Sequence, residues 1–333
     1  QFTNMSRMFM GCFTGDGLKD KATSVSLTNV GNADGTAPAA DSWVLAYANQ
    51  FTNMSYMFEG CTYLKKATLN NVGNGTAGNM AQMFGHCQQL TSTSLTNVGR
   101  GLYADFTYMF FEALGDANKL TKGTNASLTF TGVGTGRAHF GCMFMRFGQG
   151  GQSNLNSLKL DWKEATTDTI NGKTYAHNDA LVGPAEMFNS SCFSEINLTG
   201  MPMVGGAESG YVCGGSNADY GRLSITTNAA CWGAWAYCGL FANMQRITNI
   251  ANATAAAPTT SRGAGYLTLS RNWNFDKAVG SASCFIQMRD VVDISLTNYK
   301  QWGNACDWTM QDNPKLERIN MTGSGIQVSI GWT

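Results

Sequence analysis

Apolar residues along this chain follow two periods in a fixed order. The clearest stretch, Phe51 to Val72, reads F-T-N-M-S-Y-M-F-E-G-C-T-Y-L-K-K-A-T-L-N-N-V. Met54, Met57, Phe58, Cys61 and Leu64 fall at i, i+3, i+4, i+7 and i+10, the stripe of a short helix. Thr52 or Asn53 is the expected N-cap. After Leu64 the pattern alternates, with Ala67 and Leu69 inward and Thr68 and Asn70 outward, which predicts a short strand. Each unit is thus expected to be a helical turn, a tight turn and a strand. One unit cannot bury both of its apolar faces, so units must stack.

The pattern recurs. Met-Phe occurs at Met8, Met57, Met83, Met109, Met143 and Met187, six times, where 17 Met and 18 Phe would give about one by chance. The spacing is 26 residues from Met57 to Met83 and again to Met109. Degenerate copies follow at Leu240-Phe241, Cys284-Phe285 and Thr309-Met310. Aligned on the second apolar strand position, the strands run through Leu27, Leu69, Leu95, Leu128, Leu160, Leu198, Ile225, Leu269, Leu296 and Met321. That predicts a parallel sheet of about ten short strands on one side, with short helical turns on the other. An Asn recurs two residues on, at Asn29, Asn71, Asn97 and Asn298, and is absent from the other six units. Residues 324–333, with the alternating Ile326 to Ile330, read as a closing strand.

These residues resemble the BspA-like class of leucine-rich repeats, the 26-residue bacterial surface protein repeat. The similarity is strongest over 51–98, good over 1–30 and degenerate over 105–323. His86 departs from it, standing where Gly11 and Gly60 precede the cysteine. The resemblance implies an α/β repeat, a leucine-rich-repeat-like solenoid over 1–323. It also implies a buried Asn ladder where the chain leaves each strand. The function implied is extracellular or surface-exposed recognition or adhesion, binding a protein or glycan. The family motif is structural and carries no catalytic residues.

Insertions interrupt the repeat at about 32–49, 161–184, 200–233 and 251–280. They hold Trp43, Tyr47, Trp162, Tyr175 and Trp273. Insertions in repeat proteins map to loops that often bind. Tight interfaces centre on Trp, Tyr and Arg, whereas the strand face carries small hydroxyl and amide side chains. These five aromatics are therefore the expected partner-binding residues. The competing reading packs each aromatic back onto its own unit. The hydroxyl ladder itself is interrupted by Lys159 and Asp161, which disfavours a flat lattice binder.

Composition narrows the function classes. The net charge is zero, with 22 acidic and 22 basic residues and only 13% charged. No basic block is present, so neither nucleic acid nor an anionic membrane surface is an expected partner. The longest uncharged, mostly apolar run, Ala229 to Ala242, is too short for a membrane span of ~18 residues. The chain opens on Gln1 without an initiator Met or signal-like segment, so it reads as a mature or excised piece. The three His, at 86, 139 and 177, lack metal-ligand spacing. No G-x-S-x-G elbow occurs, and the glycines around Gly132 to Gly136 precede no Walker lysine. No enzyme activity, cofactor or metal is expected. Cys12, Cys61 and Cys87 share one repeat position on the apolar stripe, which predicts a stack of reduced thiols. Eight N-x-S/T sequons occur, and those at Asn4 and Asn53 are expected to cap their segments instead. Self-assembly, as a structural subunit of a virion fibre or extracellular filament, is the alternative function. Extracellular space, a cell surface or a virion surface is the expected location.

Overall fold

The structure, a computed structural model, describes residues 4–18, 21, 23–32, 52–75, 77–101, 103–134, 137–163, 165–166, 169–170, 173–174, 186–198, 211–213, 223–225, 244, 246, 249–252, 266–269, 287–297, 300–301, 312–322 and 325–326. A ten-stranded sheet organises them. Its spatial order is Ser24–Thr28, Lys66–Val72, Ser92–Val98, Thr124–Val133, Leu155–Lys163, Glu195–Asn197, Tyr266–Leu269, Asn249–Asn252, Asp293–Thr297 and Arg318–Thr322. Every pairing in it is parallel. The expected parallel sheet is therefore present.

Two details differ from expectation. Ile225 is not in this sheet. Leu223–Ile225 pairs antiparallel with Tyr211–Cys213, a short-range closure that costs less chain entropy than reaching a distant edge. Asn249–Asn252 takes a place instead, and Tyr266–Leu269 lies between it and Glu195–Asn197. The second difference is register. Leu95 pairs with Phe130, and Phe130 with Trp162, while Leu128 and Leu160 continue the row of Ala67 and Thr93. A slip of two residues leaves every side chain on its original face, so alternation alone cannot detect it.

The Met-Phe segments are not helices. Among the described residues, the helical elements are two short 3-10 turns, Asp16–Leu18 and Ala117–Lys119. The expected helical wall is instead a row of successive β-turns. Within one unit the amides of Met57, Glu59 and Cys61 donate three residues back, at 3.3, 3.1 and 3.2 Å. The alternate amides of Tyr56, Phe58 and Gly60 donate to Ala81, Met83 and Gly85 of the next unit, at 3.0, 2.9 and 2.9 Å. Left-handed backbone at Tyr56 (φ 58°) and Gly60 (φ 67°) turns these amides outward. The same pair of positions recurs at 7/11, 82/86, 108/112, 142/146 and 186/190. A non-glycine residue there costs about 1–2 kcal/mol, offset by inter-unit hydrogen bonds worth about 0.5–1.5 kcal/mol each. A four-residue turn period keeps nearly the same inward stripe as a helix, which is why the apolar pattern fits both.

Packing follows the stripe. Phe9, Phe58, Phe84, Phe110, Phe144 and Phe188 form one column, with successive ring centroids 5.4, 5.5, 5.6, 5.4 and 5.3 Å apart. Met57, Met83, Phe58, Phe84, Cys61 and Cys87 are buried, as expected. Met8 and Phe9 are not: they are 48% and 39% exposed, because the first unit has a described neighbour on one side only. Cys12, Cys61 and Cys87 are free thiols. The Cys61 and Cys87 thiols donate to the Phe9 and Phe58 carbonyls, at 3.2 and 3.1 Å.

A third wall has no counterpart in the sequence pattern. Thr52–Asn53, Ala77–Asn79, Tyr103–Asp105 and Arg137–His139 form a four-stranded parallel sheet. Asn4 adds a bridge to Asn53. Asn4, Asn53, Asn79 and Asp105 each accept from the amide two residues on, at 3.0, 3.0, 2.9 and 2.9 Å. The capping role expected for Asn4 and Asn53 holds, on turns rather than helices.

Where the chain leaves the strands, Asn29, Asn71 and Asn97 adopt φ of 57°, 56° and 52°. Asn71 Nδ2 donates to Asn29 Oδ1 at 2.5 Å. A second amide column, Asn32 and Asn74, runs beside the first: Asn74 Nδ2 donates to Asn71 Oδ1 at 2.6 Å and to the Asn97 carbonyl at 2.8 Å. Arg100 takes the third place in this column, and its guanidinium reaches Asn97 Oδ1 at 3.3 Å while the residue is 1% exposed. Gly132 ends the first column, since a Cβ there would lie 3.0 Å from Asn97 Oδ1. Beyond the main sheet, Gly325–Ile326 pairs with Lys300–Gln301 rather than joining it.

Candidate functional site

Trp162 cannot be a docking residue in this fold. It lies within Leu155–Lys163, not in an insertion, and points into the second inward row. It is fully buried, edge-on to Phe130 and Phe140 at 5.0 and 5.3 Å. The expectation for Trp162 is thus corrected: the strand extends farther than the repeat implied, and its alternation carries the indole inward. Trp43, Tyr47, Tyr175 and Trp273 lie outside the described residues, as do Leu240-Phe241, Cys284-Phe285 and Thr309-Met310.

The described surface offers two other features. The first is the outer face of the long sheet. Over its first four strands, Ser26, Thr68, Ser94 and Thr129 form one register column, and Thr28, Asn70, Thr96 and Thr131 the next. Neighbouring strands lie ~4.8 Å apart, so these groups form a regular polar array. Charge is sparse on this face: Lys66 stands on the second strand, in the register column that runs through Ser92 and Ser127 to Lys159 of the fifth. Lys159 pairs with Glu195 at 2.7 Å, and Asp161 with Lys163 at 2.9 Å.

The second is a groove of about 730 Å³ along the N-terminal ends of the second to fourth strands. Tyr63, Lys65, Gln89, Thr91, Lys119 and Asn125 are among its lining residues. An eight-residue expansion builds one bank: Met109 and Met143 are 34 residues apart instead of 26. The added chain carries Ala117–Lys119, whose cap Asp116 accepts from the Asn118 amide at 2.9 Å. Gln89 Nε2 holds this bank by donating to the Lys119 carbonyl at 2.6 Å. The Lys119 ammonium sits over the Tyr63 ring, 5.3 Å from its centroid, and 3.5 Å from Asp116. The Tyr63 hydroxyl donates to Asp16 Oδ1 at 3.0 Å. A smaller groove of about 490 Å³ continues past Asn125 to Asn156, Ser157 and Lys159. Asn125 Oδ1 accepts from Asn156 and Ser157 at 2.9 and 2.7 Å.

The described lining of the larger groove holds no carboxylate, histidine or thiol. It presents ammonium, hydroxyl and amide groups, which suit a hydroxylated or acidic ligand. Sequence reasoning missed it because its residues come from three units. The one signal was the eight-residue expansion of the Met109 to Met143 spacing, shorter than any of the four insertions.

The titratable groups with perturbed values lie elsewhere. Burial pushes the Cys61 thiol up to about 12, Cys87 well above the usual thiol range, and Cys192 up to about 11. Burial also raises Glu186, opposed by a hydrogen bond from Asn189. Asp290 is held below the usual carboxylate range by hydrogen bonds from Arg289 and Lys315, at 2.7 and 2.8 Å. Among the described residues no cluster of three metal-ligating side chains occurs, and no helix is long and apolar enough to cross a membrane. Asn74 is a sequon asparagine but is 1% exposed with its amide bonded in the ladder, so the folded chain does not offer it for glycosylation. No family model, curated protein or solved structure matches the chain.

Proposed function

We propose that the chain is a leucine-rich-repeat-like recognition solenoid of the BspA type, acting without catalysis at a cell or particle surface and binding a glycan or protein. One observation carries this reading: a preformed polar groove, fixed by Gln89 and bordered by Lys65 and Lys119, opens beside a regular hydroxyl and amide face. Parallel units hydrogen-bonded along the whole stack make a stiff support, so little order is lost when a ligand binds.

The test is binding to an array of neutral and uronic-acid oligosaccharides. Lys65→Ala with Lys119→Ala is expected to lower retention of acidic oligosaccharides at least tenfold with an unchanged melting temperature. A Thr68→Lys, Thr96→Lys variant probes the sheet face in the same assay. If both variants bind like the parent chain, neither surface is the site and the four aromatics Trp43, Tyr47, Tyr175 and Trp273 become the targets. The assembly reading, as a fibre or filament subunit, is favoured by a different observation. The large hydrophobics left exposed among the described residues lie at the two ends of the sheet.

A further inference from the structure

We infer that the two grooves form one channel and that its ligand is a linear glycan with a negative charge in each repeat, laid across the strands from Lys65 to Lys159. The channel includes the groove to which a glycan is assigned above, and so rests on that assignment. Asn125 lines both grooves and joins them. The larger runs from the second strand to the fourth, and the smaller carries on to Ser157 and Lys159 of the fifth. Lys66, next to Lys65 in the chain, shares a register column with Ser92, Ser127 and Lys159. The two ends of the channel are therefore three strand spacings apart, ~14 Å. Lysines mark both ends, and Lys119 stands on the bank of the larger groove over the Tyr63 ring. Neither described lining holds a carboxylate.

Charge, hydrogen bonding and the lack of open apolar pockets select this ligand together. Lys119 is held by Asp116 at 3.5 Å and Lys159 by Glu195 at 2.7 Å. Ion pairs at such solvated sites are weak, so an acidic ligand exchanges one carboxylate for another at little cost. The same pairs hold the ammonium groups in place before binding. Gln89 adds an acceptor. It lines the larger groove and is buried, with Nε2 committed to the Lys119 carbonyl at 2.6 Å. Its Oε1 has no hydrogen-bond partner among the described residues. A buried acceptor left so is costly, and a ligand hydroxyl satisfies it directly or through one water. An ionised carboxylate or sulfate has no proton to give, so the ligand must carry hydroxyls as well as charge. The apolar residues of the described lining, Tyr63, Leu120 and Ala126, are all buried. An acidic peptide therefore finds no open pocket for an apolar anchor, whereas sugar hydroxyls meet Thr91, Asn125, Ser127 and Asn156. Once one end of a chain is bound, contact with the other end is intramolecular, so affinity rises with length until the channel is spanned.

The experiment is calorimetric titration of the full chain with a galacturonate disaccharide, a galacturonate hexasaccharide, the methyl ester of that hexasaccharide and a sulfated glycosaminoglycan hexasaccharide. The disaccharide falls short of the channel and the hexasaccharides exceed it. The charged hexasaccharide is expected to bind at least about tenfold more tightly than the disaccharide, and the methyl ester should lose that gain. Carboxylate and sulfate chains share the charge the lysines need, and the tighter of the two identifies the source. Lys159→Ala, with an unchanged melting curve, should bring the hexasaccharide down to the level of the disaccharide and leave the disaccharide as it was. Glu195→Gln, which relieves Lys159 of its counter-charge, should tighten the hexasaccharide alone. Lys119→Ala should weaken both lengths. If the hexasaccharide binds no better than the disaccharide, or Lys159→Ala binds like the parent chain, the channel falls and the glycan reading of the larger groove stands. If neither charged glycan binds at any length, both fall. If a hexaglutamate peptide binds as tightly as the hexasaccharide, charge alone is read and the glycan assignment is overturned.

Discussion

Residues 4–12 and 53–61 carry almost the same sequence, N-M-S-R-M-F-M-G-C and N-M-S-Y-M-F-E-G-C. Their local structure is also the same: each begins on an Asx turn, and each has left-handed backbone at the fourth and eighth positions. Their burial is opposite. Met57 and Phe58 are 1% and 2% exposed, while Met8 and Phe9 remain largely open. Sequence sets the conformation of a unit, but its neighbours set the burial. A core position in a stacked fold is buried only when both adjoining units are present.

The largest test of this comparison is aromatic truncation at matched positions. Phe84→Ala removes a ring sandwiched between Phe58 and Phe110 and is expected to cost about 3–5 kcal/mol. Phe9→Ala, covered on one side, should cost less than half of that. Urea unfolding of both variants measures the gap, and equal losses would show that burial is not what separates the two units.

The Asn ladder gives the next largest effect. Asn71 is buried, adopts left-handed backbone and is bonded to Asn29 and Asn74. Asn71→Ala should cost about 2–3 kcal/mol, combining a strained backbone with unsatisfied buried partners. Asn29→Ala, at the open end, should cost about half as much. Thermal melts of the pair would sharpen the distinction.

The cysteines read the same contrast chemically. Cys12 is exposed, whereas Cys61 and Cys87 are buried. At mildly alkaline pH a maleimide should modify Cys12 and leave the other two untouched, as read by intact mass. Because folding raises the Cys61 pKa from 9.0 to about 12, its protonated thiol contributes stability fully below pH 9. That contribution declines as pH climbs from 9 toward 12. A Cys61→Ala variant should therefore lose less stability than the parent chain over that interval.

The smallest effect concerns His86, which adopts φ 56° where Gly60 stands in the preceding unit. It makes a half-exposed contact with Glu112 at 3.4 Å, a kind of pair worth about 0–1 kcal/mol. His86→Gly relieves the backbone and should leave stability unchanged or raise it by up to about 1 kcal/mol. A melting curve clearly below that of the parent chain would show that the Glu112 contact outweighs the strain.

Much of the candidate surface was illegible in advance for a related reason. The groove draws Tyr63, Gln89 and Lys119 from three different units, and no spacing within one unit marks them as neighbours. Trp162 erred in the other direction. Its residue type suggested a docking anchor, and only the register with Phe130 shows it to be core.

What the sequence determined by itself was the unit: an apolar stripe at the Met-Phe pair, a strand ending near an Asn, a reduced cysteine at a fixed place, and the need to stack. Those follow from side-chain chemistry repeated at constant spacing. The tertiary structure alone decided three things. It made the stripe a row of turns rather than a helix, because outward amides gain hydrogen bonds only when a neighbouring unit offers carbonyls. It chose among registers two residues apart, which place the same side chains on the same face. And it exchanged Asn249–Asn252 for Leu223–Ile225 in the long sheet, because pairing is settled by which edges meet in space.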